Sequence, residues 1–308
     1  MFDSLTAAAL IRDTQRDAFR GKACAMNHLG LWLVEPERAR TTIAALRSGP
    51  MPMDDDDEKR EMPILYQRTK TGIALIPVIG QIMKGDSKFG GCNSLRVRRA
   101  INAASRDNDC KGIMFVFDSP GGTVAGTAEV ADDIARVGRD KPCHAFVDDL
   151  CASAAYWMAS QCSRVTSNAM GEIGSIGVLA VLYDSSEAAS IAGVKVHVIA
   201  TGPLKAAGVD GAPVTDEHLE YLQERVDSAA QHFFDAVRKG RKLSAKQMSD
   251  ATTGRVFGAA AAQALGLIDG VGTLDRAVAD LDAEVTRVSK AARASRQLRV
   301  ACAKTCEK

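Results

Sequence analysis

Gly112-Ile-Met-Phe-Val-Phe-Asp-Ser-Pro-Gly-Gly122 decides how this chain folds. The run from Gly112 to Phe117 has no polar alternation, the pattern of a strand covered on both faces, as in a parallel sheet. Asp118-Ser-Pro-Gly-Gly then turns the chain, and Thr123 to Val137 reads as a helix. The pattern recurs on both sides. Upstream, Ile73 to Gly80 is a buried strand whose Pro77 puts it near a sheet edge, and Leu95 to Ser105 is helical. Downstream, His144-Ala-Phe-Val147 is a strand and Ser153 to Ser160 opens a helix. Ile176–Tyr183, Ser185–Ile191 and Val194–Ala200 then read as strand, helix and strand. Strands alternating with crossover helices predict an α/β fold of stacked right-handed βαβ units.

The flanks have a different character. The first 50 residues read as a helical N-terminal extension, with an amphipathic stretch from Leu5 to Phe19, then Leu31-Trp-Leu-Val34, then a helix from Pro36 to Leu46. Residues 51–70, with the acidic run Asp54 to Glu58, read as a solvated linker. The α/β unit is expected over 71–285. It includes a long helix from Thr215 to Lys242, with Thr215 as N-cap and a basic C-terminal end, and closes on the helix Leu274–Leu281. Residues 286–308 form a basic tail.

Composition excludes several classes. A net charge of +1 and 5% aromatic residues give no basis for nucleic-acid binding. The eight cysteines include no Cys-x-x-Cys pair and no zinc-ribbon spacing, so they are expected as reduced thiols in a reducing compartment, Cys151 packing like the rest. No phosphate loop or ligand cluster suggests a cofactor or a metal. Residues 2–20 lack an apolar core, and the longest apolar run, Ile176 to Tyr183, is too short to span a bilayer. A cytoplasmic protein without a membrane anchor is expected.

Two segments carry nucleophile chemistry. Ser153, in Cys151-Ala-Ser-Ala-Ala-Tyr-Trp157, is flanked by small residues that leave its hydroxyl and the next N–H open to a carbonyl. Lys205, in Thr201-Gly-Pro-Leu-Lys-Ala-Ala-Gly208, sits among small and apolar residues, with Asp210 the nearest acid in sequence. A lysine desolvated without a carboxylate partner loses its proton near neutral pH and can serve as a base. The five histidines, His28, His144, His197, His218 and His232, fall in no triad motif and read as structural. Taken alone, Lys205 reads as a solvent-facing loop lysine, Lys195 as an exposed strand residue, and Pro120-Gly-Gly as an ordinary loop. Ser153, Lys205 and the Ser119-Pro-Gly-Gly122 turn together read as a serine–lysine protease.

Asp118-Ser-Pro-Gly-Gly, Ala152-Ser-Ala-Ala-Tyr-Trp, Gly174-Ser-Ile-Gly-Val and Gly202-Pro-Leu-Lys205 resemble the motifs of the signal peptide peptidase A family of serine proteases. That family belongs to the Clp protease/crotonase superfamily, and the likeness runs over about residues 70–280, ending on Gly254-Arg-Val-Phe and Ala264-Leu-Gly-Leu-Ile-Asp-Gly-Val-Gly. The resemblance implies a Clp/crotonase-like fold, with Ser153 as nucleophile and Lys205 as general base. It implies the N–H groups of Gly122 and Ala154 as the oxyanion hole, with Ser175 orienting Lys205. It also implies a homo-oligomeric ring in which the dyad is completed across a subunit boundary. Two features depart from it. Ala154-Ala155 replace the Gly-Gly that many members carry, and no N-terminal anchor is visible. The preface Leu31-Trp-Leu-Val-Glu-Pro-Glu is instead similar to the prophage branch, which processes scaffold, portal or capsid proteins in head maturation. That branch implies a protein found in the cytoplasm or packaged into a procapsid. Three alternatives stand: a housekeeping cytoplasmic peptidase, a crotonase-like acyl-CoA enzyme, and a non-catalytic assembly protein.

Overall fold

The computed structural model describes residues 32–34, 65–85 and 91–306. The helices expected at Leu5–Phe19 and Pro36–Leu46 and the acidic run lie outside these residues. In chain order the structure runs β1 (Trp32–Val34), β2 (Gln67–Arg68), β3 (Ile73–Ile79), β4 (Ile82–Met83) and β5 (Cys92–Asn93), then helix α1 (Ser94–Arg106). Next come β6 (Gly112–Ser119), β7 (Gly121–Thr123), α2 (Thr127–Val137), β8 (Cys143–Ala152) and α3 (Ala154–Ala159). β9 (Arg164–Ser167), β10 (Glu172–Gly174) and α4 (Ser186–Ile191) lead to a 3-10 turn at Pro203–Ala206. The chain continues through α5 (Asp216–Arg241), α6 (Ala245–Ala251), β11 (Val256–Gly258), α7 (Ala259–Ala264), β12 (Gly270–Val271) and α8 (Leu274–Cys306).

The main sheet has the order β11-β10-β8-β6-β3-β2, with β9 branching from β8 to β12. β3, β6, β8, β9 and β10 run parallel. The uninterrupted apolar reading of β6 has its explanation in two covered faces. Ile113, Phe115 and Phe117 pack into a core with Ile101 of α1, Ile134 of α2 and Tyr156 of α3. Met114 and Val116 point the other way, against Ala277, Val278, Leu281 and Val285 of α8. Pro77 of β3 pairs with Val116, while β2 reaches only Leu75 and Ala74. The missing N–H of Pro77 therefore lies where the sheet has an open edge, as its sequence position suggests. Thr215 caps α5 in a reciprocal capping box with His218, and the basic residues Arg238, Lys239 and Arg241 occupy its last turn.

Three readings are corrected. β2 falls within the stretch read as linker, where Tyr66 donates to Asp107 at 2.8 Å and Arg68 pairs with the same carboxylate. Trp32–Val34 is a strand inside the stretch read as helical. Ile176–Tyr183 and Val194–Ala200 form no strands apart from an isolated bridge at Leu179. The sheet position beyond β10 is taken by antiparallel β11. Apolar β-prone segments without a partner edge cannot satisfy their backbone groups as a ladder. The lobe they form leaves Ile191, Val194 and Ile199 exposed, Ile199 at 99%.

Two elements anchor this core. Trp157 of α3 stacks on Phe233 of α5, with ring centroids 4.9 Å apart. Truncating the fully buried Phe233 to Ala is expected to lower unfolding free energy by about 3–5 kcal/mol, read by urea denaturation. On the opposite face, His144 Nε2 lies 2.8 Å from Glu284 Oε2, with Arg164 and Asp280 nearby. Burial pushes the His144 pKa below its ordinary 6.5, outweighing the raising effect of Glu284. The unfolded chain therefore binds this proton more readily, and the site contributes stability that falls as pH drops below about 6.5. His144→Gln is expected to flatten the decline in Tm between about pH 7 and pH 5; an unchanged slope would assign the decline to other groups.

Candidate active site

The parallel strands β6, β8 and β10 end together. Ser119 is in register with Cys151, and Gly174 with Ala152, so the residues following each strand converge at the carboxyl edge of the sheet. Ligands of open α/β sheets bind in that location. It receives Pro120-Gly-Gly after β6, Ser153 after β8 and Ser175 after β10.

Ser153 bridges β8 and α3 with φ 55° and ψ −116°, a conformation disfavoured for a residue with a Cβ. Holding it costs about 1–3 kcal/mol, borne by the surrounding packing. Its N–H donates to the Gly174 carbonyl at 2.8 Å, and its carbonyl accepts from Trp157 N–H at 2.9 Å. The side chain is buried, with Oγ 3.5 Å from the Gly177 carbonyl. Small residues are required here: Ala152, Ala154 and Ala155 are fully buried against the core. Cys151 beneath them is buried as well, and burial pushes its thiol well above the ordinary range, in keeping with a packing role.

Ser175 is also left-handed, at φ 49°, and its N–H donates to Arg255 at 2.7 Å. The preceding Gly174 has φ +129°, and a Cβ there would lie 2.7 Å from the Arg255 carbonyl. On the other side, Ser119 Oγ donates to the Gly80 carbonyl at 2.6 Å and accepts from Gly121 N–H at 3.2 Å, fixing the Pro-Gly-Gly turn. A Cβ on Gly122 would fall 1.7 Å from the Ile82 carbonyl, so only glycine fits between β7 and β4.

Gly122, Ser153, Ala154 and Ser175 thus occupy adjoining positions at one sheet edge. Lys205 follows on a separate segment. It lies exposed in the 3-10 turn Pro203–Ala206, and no hydrogen bond among the described residues connects it to Ser153 or Ser175. The apolar burial expected from its sequence neighbours is not supplied by the chain's own residues. Lys195 is exposed too, in an irregular segment rather than the expected strand.

The four histidines among the described residues are engaged elsewhere or exposed, and His28 lies outside these residues. His144 pairs with Glu284, and His197 and His232 face solvent. His218 has a role that its sequence position gave no sign of. Besides capping α5 it brings Nε2 to 3.1 Å from the Pro203 carbonyl, tying the Lys205 turn to the helix. Sequence reasoning also missed that Trp32–Val34 lies beside Gly121–Thr123; three consecutive large apolar residues were its only signal. No helix among the described residues is long and apolar enough to cross a membrane.

The chain is similar in sequence to known proteins. Residues 135–287 match the model of peptidase family S49, a stretch that contains Ser153, Ser175 and Lys205 but begins after Gly122. The capsid assembly protease C of Escherichia phage lambda is 33% identical over 221 residues, covering 70% of this chain and 49% of that protein. The head-tail preconnector protein GP5 of Enterobacteria phage P21 is 32% identical over 196 residues, 62% of this chain and 38% of that protein. A putative signal peptide peptidase of Enterococcus faecium is 27% identical over 185 residues, 60% of this chain and 54% of its own. The chain therefore spans about half the length of these relatives, or less. The turn that strains Ser153 at the end of β8, the convergence of Ser175 beside it, and the matched stretch together make this chain a member of peptidase family S49.

Proposed function

We propose that the chain is a serine endopeptidase in which Ser153 is the nucleophile and Lys205 the general base, acting on phage scaffold, portal or capsid proteins during head maturation. The observation that carries the reading is Ser153 itself. It is a non-glycine residue held at φ 55° between a strand and a helix, at the sheet edge where Gly122 and Ser175 converge. Strain of this kind persists where the surroundings over-determine it, and it aims one side chain at a ligand.

The chemistry follows from these groups. Neutral Lys205 Nζ accepts the Ser153 Oγ proton as Oγ bonds to the scissile carbonyl carbon. The carbonyl oxygen becomes an oxyanion, stabilised by N–H groups of Gly122 and Ala154. Collapse breaks the C–N bond, and the ammonium of Lys205 returns the proton to the leaving amine. Water then attacks the acyl-enzyme, giving its proton to Lys205, and releases the carboxylic acid as Ser153 regains its hydrogen. Ser175 orients the lysine.

Lys205 needs desolvation for this, and in one chain it is exposed. A second copy supplies it. The lobe that carries Lys205 also exposes Tyr183, Ile191, Val194 and Ile199, surface that an adjoining subunit would cover. The working enzyme is then a homo-oligomeric ring, with Lys205 of one subunit completing the Ser153 site of the next. The phage role rests on the lambda and P21 relatives.

Proteolysis of unfolded casein tests the dyad. Wild type is expected to cleave, and Ser153→Ala and Lys205→Ala each to lose at least about 10³-fold in kcat. Co-refolding the two variants is expected to restore part of the activity. No recovery in rings shown by native mass spectrometry to be mixed would place the dyad within one chain. Full activity in either variant would remove the assignment. Gly122→Ala is expected to abolish cleavage and to lower the Tm, because its methyl would displace the Ile82 carbonyl next to the oxyanion site.

A further inference from the structure

β7 has no free edge. It is held between β4, parallel to it, and β1, antiparallel to it, in the order β1-β7-β4-β5. The hydrogen-bonding pattern fixes which edge Gly122 addresses. Cys92 N–H donates to the Gln81 carbonyl at 2.9 Å across the β4–β5 pair. In a strand, the backbone groups of successive residues alternate between edges. Gln81 therefore faces β5, and Ile82 faces β7. In the parallel pairing of Ile82 with Gly122, the residues of β7 that bond β4 are then Gly121, through its carbonyl, and Thr123, through its N–H. The N–H and carbonyl of Gly122 turn to the opposite edge. The residue in register there is Leu33.

From this register we infer that Trp32–Val34 is an internal occupant of the substrate-strand position. It holds the Leu33 backbone against the Gly122 amide and keeps the site closed until an extended substrate segment displaces it. The inference rests on the reading of Gly122 as an oxyanion donor. An extended polypeptide laid against a sheet edge takes its affinity from backbone hydrogen bonds, so a chain's own strand and a substrate strand compete on nearly equal terms. β1 is suited to reversible occupancy: it is three residues long, and β7 is its only partner strand among the described residues. A longer pairing would lock the edge. The substrate class that follows is an unfolded or extended segment able to add a strand, and not a folded surface.

The full-length chain tests this with Leu33→Pro, which removes the N–H facing Gly122, and with a second variant carrying Trp32→Gly, Leu33→Gly and Val34→Gly together. At sub-saturating casein both are expected to cleave about tenfold faster than wild type, the gain when an occupant holding roughly nine sites in ten is released. A labelled synthetic peptide of residues 29–36 is expected to bind both variants but not wild type, and to inhibit their cleavage competitively. Variants with native circular dichroism and native oligomer size that cleave no faster than wild type would overturn the proposal. So would equal binding of the peptide by all three proteins. Each chain is also assayed with Ser153→Ala. Peptide binding gained by the variants, with cleavage indifferent to Ser153, would overturn the protease reading and the inhibitory role with it. Ser153-dependent cleavage without the gain in binding would overturn the occupancy alone.

Discussion

The hydrogen bond from Ser153 N–H to the Gly174 carbonyl is the contact on which the site depends. It continues the β8–β10 pairing one residue past Ala152, into a turn where Ser153 has left the extended conformation. It carries the tie between the two strands one residue past the β8–β10 ladder, so that the two positive-φ serines share a wall. The glycine at 174 is part of the same constraint, since the Arg255 carbonyl occupies the space a Cβ would need. Three segments distant in sequence, at 119–122, 151–154 and 174–177, are thereby held in one register.

The rest of the fold makes that register stiff. β6 and β8 are buried on both faces, by α1 to α3 on one side and α8 on the other. Such a sheet moves little, so strain at its edge can persist. α3 carries this further. It starts at the residue after Ser153, and its Tyr156 and Trp157 are anchored to the Leu267 carbonyl and to Phe233. Burial ends at the lobe beyond Gly177. There the apolar side chains face outward, and Lys205 is steadied mainly by the link from His218 to Pro203.

Much of this architecture was legible in the sequence, for physical reasons that can be named. β6 was readable because a strand covered on both faces has no polar alternation to confuse with anything else. α5 was readable from its cap and its basic end. Ser153 stood out because its small neighbours leave the hydroxyl and the next N–H open, and the structure places it at the turn from β8 to α3. The failures share a different cause. Val194–Ala200 has the composition of a strand, but strand formation depends on a partner edge, which sequence does not encode locally. Trp32–Val34 found such an edge far along the chain, and no local pattern reveals that either. The setting of Lys205 failed to follow from its neighbours because burial is decided by what packs against a residue and not by what precedes it.

The same dependence on partner edges gives β1 a second consequence. Sheets expose unpaired backbone groups at their margins, and an uncovered margin is a template on which other chains can stack. The outer margin of β7 is unusually bare, because Gly121 and Gly122 offer no side chains to fend off a neighbour. While β1 lies there, this margin is closed to pairing with another copy of the chain. Whatever lifts β1 away uncovers an adhesive strip together with a binding strip, so opening is tolerable only where extended client segments outnumber copies of the protein itself.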